Sequence, residues 1–448
     1  MTLNPITISI HSLGENGEGL GSYQGHTIYV DGALIGEEVE VRIIKSHKTY
    51  SHATVVKVLK PSLNRVQPVC KHFDICGGCQ LMHLEYAQQL LFKQQKVIKA
   101  LQRYENTKDI RVEPCLPSPS TLHYRNKIQL PVQKGLHGLK LGLYARGSHD
   151  LVEIDTCAVH CNAGEEIYTK VKEIIKKSNL SAYDPQTKTG ELRHVLIKSS
   201  ENLKEVLVIL VTASENRESL LPIAEEIMKT SPLVKGVVHN VNQTEGNVIL
   251  GQTYHLLAGT PHIHHRLKHL LFTLSPASFF QVNAAQAECL YEKALEFAEV
   301  TGSETVLDAY CGVGTISLFF ANHVQKVIGI ESVPQAIENA RENAKLNNIS
   351  NVEFVCAQAE EYIYKLEQAD IVLLNPPRKG CEQRFLKGVV SLKPSKVVYI
   401  SCNPATLARD LNLLCTSGYQ IIAVQPYDMF PQTAHVECVV QIKIPLTK

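Results

Sequence analysis

The feature that most constrains the fold is an alternation in the last part of the chain. From about residue 275, TVLDAY, KVIGIE, VEFVCA, ADIVLLN and KVVYIS are short runs dominated by Val, Ile and Leu. Helical segments lie between them: ISLFFANH, PQAIENARENAKLNN and PATLARDLNLLCTS. Strands that are apolar on both faces belong to a parallel sheet, and the crossovers between parallel strands put helices over those faces. Two further strands, YQIIAVQPYD and HVECVVQIKI, follow as a hairpin. The pattern predicts a doubly wound, Rossmann-like α/β domain over 271–448. Ligands of such sheets bind at the carboxyl ends of the strands, so the residues that end each run are where chemistry is expected.

The preceding chain divides in two. Residues 5–60 hold four or five short strands with Gly-rich turns between them (ITISIHSL, HTIYVDGAL, EEVEVRIIKS, HATVVKVLK), which predicts an OB-like β-barrel over 1–61. This piece carries five basic residues (Arg42, Lys45, Lys48, Lys57, Lys60) against six acidic ones, so its charge alone does not demand nucleic acid. Residues 62–270 mix strands and helices and read as a central α+β domain. A helix with several basic positions, expected over 85–103, is placed to dock on the C-terminal domain.

The whole chain has 448 residues, 44% of them hydrophobic and 20% charged, which excludes wholesale disorder. Its net charge of +1 excludes a uniformly basic surface but not a local basic patch. No apolar run is long enough for a membrane helix, and MTLNPITISI lacks the charged and apolar regions of a secretion signal. The expectation is a cytoplasmic protein.

In a reducing compartment, 13 cysteines are better read as metal ligands or nucleophiles than as disulfides. Cys70, Cys76 and Cys79 are spaced C-x5-C-x2-C, with Gly77 and Gly78 in the tight turn. Glycine lets the backbone approach a metal group and offer N–H groups to its sulfurs. A fourth ligand is needed, and Cys157, Cys161 and the remoter Cys115 are the candidates. Four thiolates can hold zinc or an iron–sulfur cluster.

VLDAYCGVGTIS reads as a strand, a Gly-rich turn and a helix start, with Gly312 and Gly314 allowing close backbone approach. Glu331 ends the next strand, where an acid can accept hydrogen bonds from a ribose diol. The third glycine of the dinucleotide fingerprint is missing, so S-adenosylmethionine fits better than NAD. Asn375-Pro376-Pro377-Arg378 and Ser401-Cys402-Asn403-Pro404 end the next two strands. Cys402, at a helix N-terminus in the ligand crevice, is expected to have a lowered thiol pKa and to act as a nucleophile. Glu437, at the start of the last strand, is either a solvated edge residue or a general base.

Together these motifs resemble the RNA uracil-5-methyltransferases, specifically the 23S rRNA (uracil-5-)-methyltransferases with a TRAM domain and a 4Fe-4S cluster. The resemblance covers nearly the whole chain. It rests on the residues above, on Phe279-Phe280-Gln281-Val282-Asn283, and on Asp428-Met429-Phe430-Pro431 followed by His435-Val436-Glu437. It implies Cys70, Cys76, Cys79 and Cys157 as cluster ligands. It implies Cys402 as nucleophile, Glu437 as base, and Gln281, Tyr310, Gly312, Gly314, Thr315, Glu331, Gln358 and Asn375 at the S-adenosylmethionine site. Asn375 departs from the Asp usual in the family, keeping a hydrogen-bond acceptor and losing the charge. The partner implied is RNA, with no membrane, no obligate protein partner and a monomeric chain.

Two rival readings make different predictions. An amino-group methyltransferase is suggested by Asn375-Pro376-Pro377, but Arg378 follows where an aromatic residue would stack on the base, and such enzymes need no cysteine. A non-catalytic RNA-binding assembly factor is opposed by Cys402 and Glu437. A tRNA rather than an rRNA target is the alternative within the family. His255, His262, His264, His265 and His269 crowd one stretch without a clear acidic or cysteine partner, and read as a polar hairpin or RNA-facing loop. Arg125, Lys127, Lys93 and Lys96 are candidate phosphate contacts or an ordinary solvated face.

Overall fold

The computed structural model describes residues 5–136 and 138–445. Strands β1 (Ile6–Leu13), β2 (Gly19–Tyr23), β3 (His26–Asp31), β4 (Glu38–Ser46) and β5 (Tyr50–Lys60) form a closed barrel in the order β1-β2-β3-β5-β4. Side chains alternate across a strand, so Ile8 and Ile10, Ile28 and Val30, and Val39 and Val41 fill the interior. Buried Glu37 pairs with Arg65 at 2.6 Å and ties the barrel to the following segment.

The segment containing Cys70, Cys76 and Cys79 leads into helix α1 (Tyr86–Leu101). The central sheet uses β6 (Lys127–Gly135), β7 (Gly138–Tyr144), β8 (Leu151–Glu153), β9 (Leu192–Ser200), β10 (Glu205–Thr212), β11 (Val234–Val241) and β12 (Thr253–Gly259). Their order is β12-β11-β10-β9-β6-β7-β8. Helices α2 (Asn162–Lys177) and α3 (Leu221–Thr230) cover one face, where Ile128, Val195 and Val208 meet Ile167 and Ile227. The other face does not end in solvent. Leu196, Leu207 and Ile209 share a core with the C-terminal region, including the hairpin β13 (Ile263–Leu267) and β14 (Leu270–Leu274).

Beyond the hairpin come α4 (Ala284–Ala298), β15 (Thr305–Asp308), α5 (Thr315–Ala321), β16 (Lys326–Glu331), α6 (Pro334–Leu346), β17 (Val352–Cys356) and α7 (Ala359–Tyr362). They are followed by β18 (Ile371–Leu374), α8 (Gln383–Leu392), β19 (Lys396–Ser401), α9 (Pro404–Thr416), β20 (Gln420–Tyr427) and β21 (Glu437–Lys443). The sheet order is β17-β16-β15-β18-β19-β21-β20, with β21 antiparallel to both its neighbours. The order reverses between β15 and β18, and that switch point opens a crevice at the carboxyl ends of the strands.

Elements that the sequence pattern did not yield include β12, α4, α7 and α8. In α8, Gly388 and two adjacent valines hide the helical signal. Gly388 is there because a Cβ would lie 2.4 Å from the Ile363 side chain. Helix α1 packs on the C-terminal sheet, burying Val97, Ala100 and Leu101 in the core that holds Leu407, Val440 and Ile442.

Candidate active site

One cavity of about 980 Å³ opens at the switch point. Of the residues singled out in the sequence, Gln281, Tyr310, Gly312, Thr315, Glu331, Gln358, Asn375, Cys402, Glu437 and the four cysteines Cys70, Cys76, Cys79 and Cys157 all line it. Gly314 does not. It is at φ +82°, and a Cβ there would come within 2.8 Å of the Phe354 ring. Backbone conformation and packing by themselves require its glycine. Cys115 and Cys161 also lie outside the cavity lining.

The first wall comes from the turn after β15 and the ends of β16 and β17. Gly312, at φ +56°, has open space where a Cβ would be, so the backbone is accessible there. One oxygen of Glu331 accepts from the Ser332 N–H at 2.7 Å and the Val333 N–H at 3.0 Å, which fixes the carboxylate at the strand end. The Tyr310 hydroxyl donates to Glu360 at 3.0 Å. Asn126 Nδ2 donates to the Gln281 carbonyl at 2.9 Å. Asp308, part of the quoted turn but not singled out as a site residue, lies beneath this wall. Ser317 Oγ donates to one of its oxygens at 2.6 Å, the other is buried without a partner, and burial pushes its carboxyl up to about 6.

The second wall carries Cys402 and Glu437. Cys402 is half-buried between β19 and the Asn403 cap of α9, whose side chain accepts from the Ala405 N–H at 3.1 Å. The lowered thiol pKa expected from this position is not found. Burial and then the Glu437 carboxylate push the Cys402 thiol up, and together they outweigh the Arg378 guanidinium, which pulls it down. Glu437 is 3% exposed, which settles the choice between a solvated edge residue and one facing the crevice. Burial pushes its carboxyl up to about 8 against the opposing effect of Arg378.

Arg378 lines the same cavity and is thus a cation acting on both thiol and carboxyl, a role that the sequence motif alone did not assign. Asn403 Nδ2 donates to its carbonyl at 2.9 Å, and its guanidinium donates to His435 Nδ1 at 2.9 Å. Burial and then Arg378 push His435 down to about 4, leaving the ring neutral as the acceptor this bond needs.

The loop from Asp428 to His435 is held from outside the catalytic sheet. Lys93 of α1 forms a fully buried ion pair with Asp428 and donates to the Phe430 carbonyl at 3.0 Å. Asn283 Nδ2 donates to the Met429 carbonyl at 3.2 Å, and the Tyr124 hydroxyl to the Pro431 carbonyl at 3.0 Å. Lys93 is therefore no phosphate contact. Lys96 is likewise engaged, donating to the carbonyls of Glu15 at 2.7 Å and Ala434 at 2.8 Å. Arg125 does line the cavity, opposite exposed Phe279.

The four cysteines form the far wall, against Phe73, Met82, Tyr124 and Val159. Burial and then the neighbouring Cys157, Cys76 and Cys70 hold the Cys79 thiol far above its ordinary range. Burial pushes Cys157 up to about 11, and it raises Cys76 as well. The Gly78 N–H donates to Cys76 Sγ at 3.4 Å, as the glycine turn implied. Four thiols on one wall, three of them (Cys76, Cys79 and Cys157) held up by burial and by neighbouring thiols, fit a multivalent cationic group, which would relieve that repulsion. Among the described residues, no three His, Cys, Asp or Glu side chains converge closely enough to hold a single ion.

The histidine-rich stretch forms β12 and the β13–β14 hairpin, but not all of it faces outward. His265 is buried against Phe280, ring centroids 4.5 Å apart, and burial lowers it to about 4. It is a core histidine.

A seven-stranded sheet of this order, with a strand-end acid and a glycine turn at the switch point, is a methyltransferase fold. The family model described as tRNA (uracil-5-)-methyltransferase matches residues 85–444, and that of the TRAM domain matches residues 5–56. An "Uncharacterized RNA methyltransferase" of Clostridium tetani is 42% identical over 96% of this chain and 94% of its own. Another from Clostridium acetobutylicum is 40% identical over 98% and 97%. The solved structure of Pyrococcus abyssi tRNA (uracil-54, C5)-methyltransferase with S-adenosyl-L-homocysteine superposes with a TM-score of 0.79 at 31% identity, covering 97% of this chain and 99% of that one. The chain belongs to the S-adenosylmethionine-dependent RNA (uracil-5-)-methyltransferase family and carries an N-terminal TRAM domain.

Proposed function

We propose that the protein methylates C5 of a specific uridine in 23S rRNA, with Cys402 as nucleophile and Glu437 as base. The observation that carries this reading is that a thiol, a buried carboxyl and the Arg378 cation that acts on both line one cavity, together with the glycine turn and Glu331.

C5 of uracil is a poor nucleophile. In the proposed reaction the Cys402 thiolate forms a bond to C6, and the C5–C6 π pair moves into an enolate ending on O4. C5 then attacks the donor methyl group, the sulfur–methyl bond breaks, and S-adenosylhomocysteine leaves. Glu437 takes the C5 proton, the C5–C6 double bond reforms, and the C6–sulfur bond breaks to return the thiolate. One proton is released to solvent per turnover. Thiol and carboxyl are both held up by burial, so the reacting form is reached by deprotonating both, with Arg378 as the cation that favours each charge. To reach Cys402 the target base must leave its stack.

For the donor we propose the wall of Gln281, Tyr310, Gly312, Thr315, Glu331, Gln358 and Asn375. Gly314 belongs to the same turn as Gly312, and Glu331 is placed for the ribose diol. Cys70, Cys76, Cys79 and Cys157 are proposed to hold a 4Fe-4S cluster. Methyl transfer moves no electron, so the cluster's contribution here is to neutralise four thiolates and fix the loop that carries them. Protein purified without oxygen is expected to be brown with about four irons per chain; colourless protein with one zinc would reject the cluster.

The domains we assign are 1–61, 62–270 and 271–448, in a monomeric cytoplasmic enzyme. Among the described residues no helix is long and apolar enough to cross a membrane. The choice of rRNA over tRNA rests on the family resemblance alone; the tRNA enzyme of Pyrococcus abyssi covers 97% of this chain. Tritium release from RNA carrying 5-tritiated uridine tests the reaction. Release that depends on the methyl donor is expected from 23S rRNA. Methylation without release would indicate amino-group chemistry, neither would indicate an assembly factor, and release from tRNA alone would reassign the substrate.

A further inference from the structure

Gln432 stands out in the loop that precedes Glu437. It is a buried, non-glycine residue at φ +71°, the left-handed region that side chains disfavour. Such a conformation persists only where the surroundings over-determine it, and here three segments distant in sequence do so. The segment leading out of Cys79 donates two backbone N–H groups to the Gln432 carbonyl, from Gln80 at 3.0 Å and Leu81 at 2.9 Å. Helix α1 supplies Gln89, whose side chain accepts from the Gln432 N–H at 3.1 Å and donates to its Oε1 at 3.0 Å. The Gln432 side chain in turn donates to the Thr121 carbonyl at 3.4 Å.

The donor segment is fastened to the cysteine turn on its other side. Gln80 Nε2 donates to the Gly77 carbonyl at 2.9 Å, and its Oε1 accepts from the Ala434 N–H at 3.4 Å. A side chain one residue from Cys79 therefore touches both the cysteine turn and the residue before His435.

We propose that Gln432 is a positioning residue for Glu437: its strained backbone is the point where the cysteine turn grips the catalytic loop, and the placement of the base depends on the four cysteines being held together. The inference rests on Glu437 as the base, and it gives the cysteine site a task in the reaction without an electron passing through it. When the turn is released, Gln80 and Leu81 withdraw from the Gln432 carbonyl, the loop relaxes out of the left-handed conformation, and Glu437 loses its buried position beside Arg378. The donor wall is built from other segments and is left intact.

Gln432→Ala and Gln432→Gly compared in the iron-loaded protein test this. Both remove the side-chain bonds, but only glycine adopts a positive φ freely. For Gln432→Ala, kcat is expected to fall about 100-fold, as for a reacting group misplaced by an ångström. Donor affinity by calorimetry and iron content should be unchanged, and the pH midpoint of kcat should move below that of wild type as Glu437 gains solvent. Gln432→Gly should recover part of the loss, reversing the usual ranking of alanine above glycine. Wild type stripped of iron by a chelator under reduction should bind the donor normally and release tritium from 5-tritiated uridine RNA as slowly as loaded Gln432→Ala. Wild-type kcat in Gln432→Ala, equal losses in both variants, or loss of donor binding would each overturn the proposal. Should Gln432→Ala not fold, Gln89→Leu cuts the same contact from α1, and an unchanged kcat and pH midpoint there would overturn it as well. If loss of Glu437 itself leaves proton removal intact, the reading of the base fails instead, whatever Gln432 does.

Discussion

The wall proposed for the methyl donor comes largely from one stretch of chain, residues 308–358, whereas the wall with Cys402 and Glu437 is gathered from pieces as far apart as Lys93 and His435. The first is shaped by local rules: a strand end, two glycines at positive φ, and a carboxylate tied to the next two N–H groups. The second is shaped by tertiary contacts: a buried ion pair from α1, a tyrosine and an asparagine on loop carbonyls, and a strained glutamine gripped by the cysteine turn. Burial raises both proposed reacting groups. A locally built wall should lose affinity gradually when altered, and a tertiary one should lose activity or folding abruptly.

The sharpest break is Cys402→Ala, which should lower methylation by on the order of 10⁴ or more while donor affinity stays at the wild-type value. Full turnover by that variant in a donor-labelling assay would end the covalent reading. Next is Lys93→Met, which leaves Asp428 buried without its partner. Urea unfolding should show a loss of about 3–5 kcal/mol, the usual cost of removing one side of a buried pair, with part of it restored by adding Asp428→Asn. A change as small as that of an exposed ion pair would mean the catalytic loop does not depend on α1.

The pH dependence comes third. Glu437, raised to about 8, must be a carboxylate to accept the C5 proton, so protonation below that value removes activity. The Cys402 thiol is also raised and must be a thiolate, so its protonation acts in the same direction. Hence kcat/KM should fall at least about tenfold per pH unit below about 8 and level off above the higher of the two values. A flat profile between pH 6 and 8 would contradict this. On the donor wall, Glu331→Gln should weaken donor binding by about tenfold, the loss of one charge-assisted hydrogen bond, with kcat at saturation little changed. A fall in kcat without loss of donor affinity would move Glu331 to the other wall. The smallest effect expected is Gly314→Ala, about 1–3 kcal/mol of stability from the disfavoured φ and the Phe354 contact, read as a lower thermal midpoint.

The same contrast explains what the sequence made legible. The parallel strands, the glycine turn and Glu331 follow from periodicity and turn chemistry over neighbouring residues, and they lie where expected. The convergence of Cys70, Cys76, Cys79 and Cys157 on the cavity that holds Cys402 depends on how the domains share their cores, which no short-range pattern carries. For Gly314 the sequence shows the glycine turn but not the nearness of Phe354, which gives the residue a packing role as well. The thiol pKa was misjudged because the helix N-terminus is visible in sequence, whereas burial and the Glu437 carboxylate are not. Lys93 looked like any surface lysine on an amphipathic helix, and the acid it meets lies 335 positions away. His265 looked polar for the same reason: the core that encloses it is assembled from both sheets.

The central claim is that the uracil is held covalently by Cys402 until Glu437 removes its C5 proton. Intact mass spectrometry of Glu437→Gln incubated with S-adenosylmethionine and a substrate RNA fragment tests it most directly. The expected species is protein plus RNA plus one methyl group, stable to denaturation and absent when Cys402→Ala is added. Free protein together with fully methylated, released RNA would contradict it.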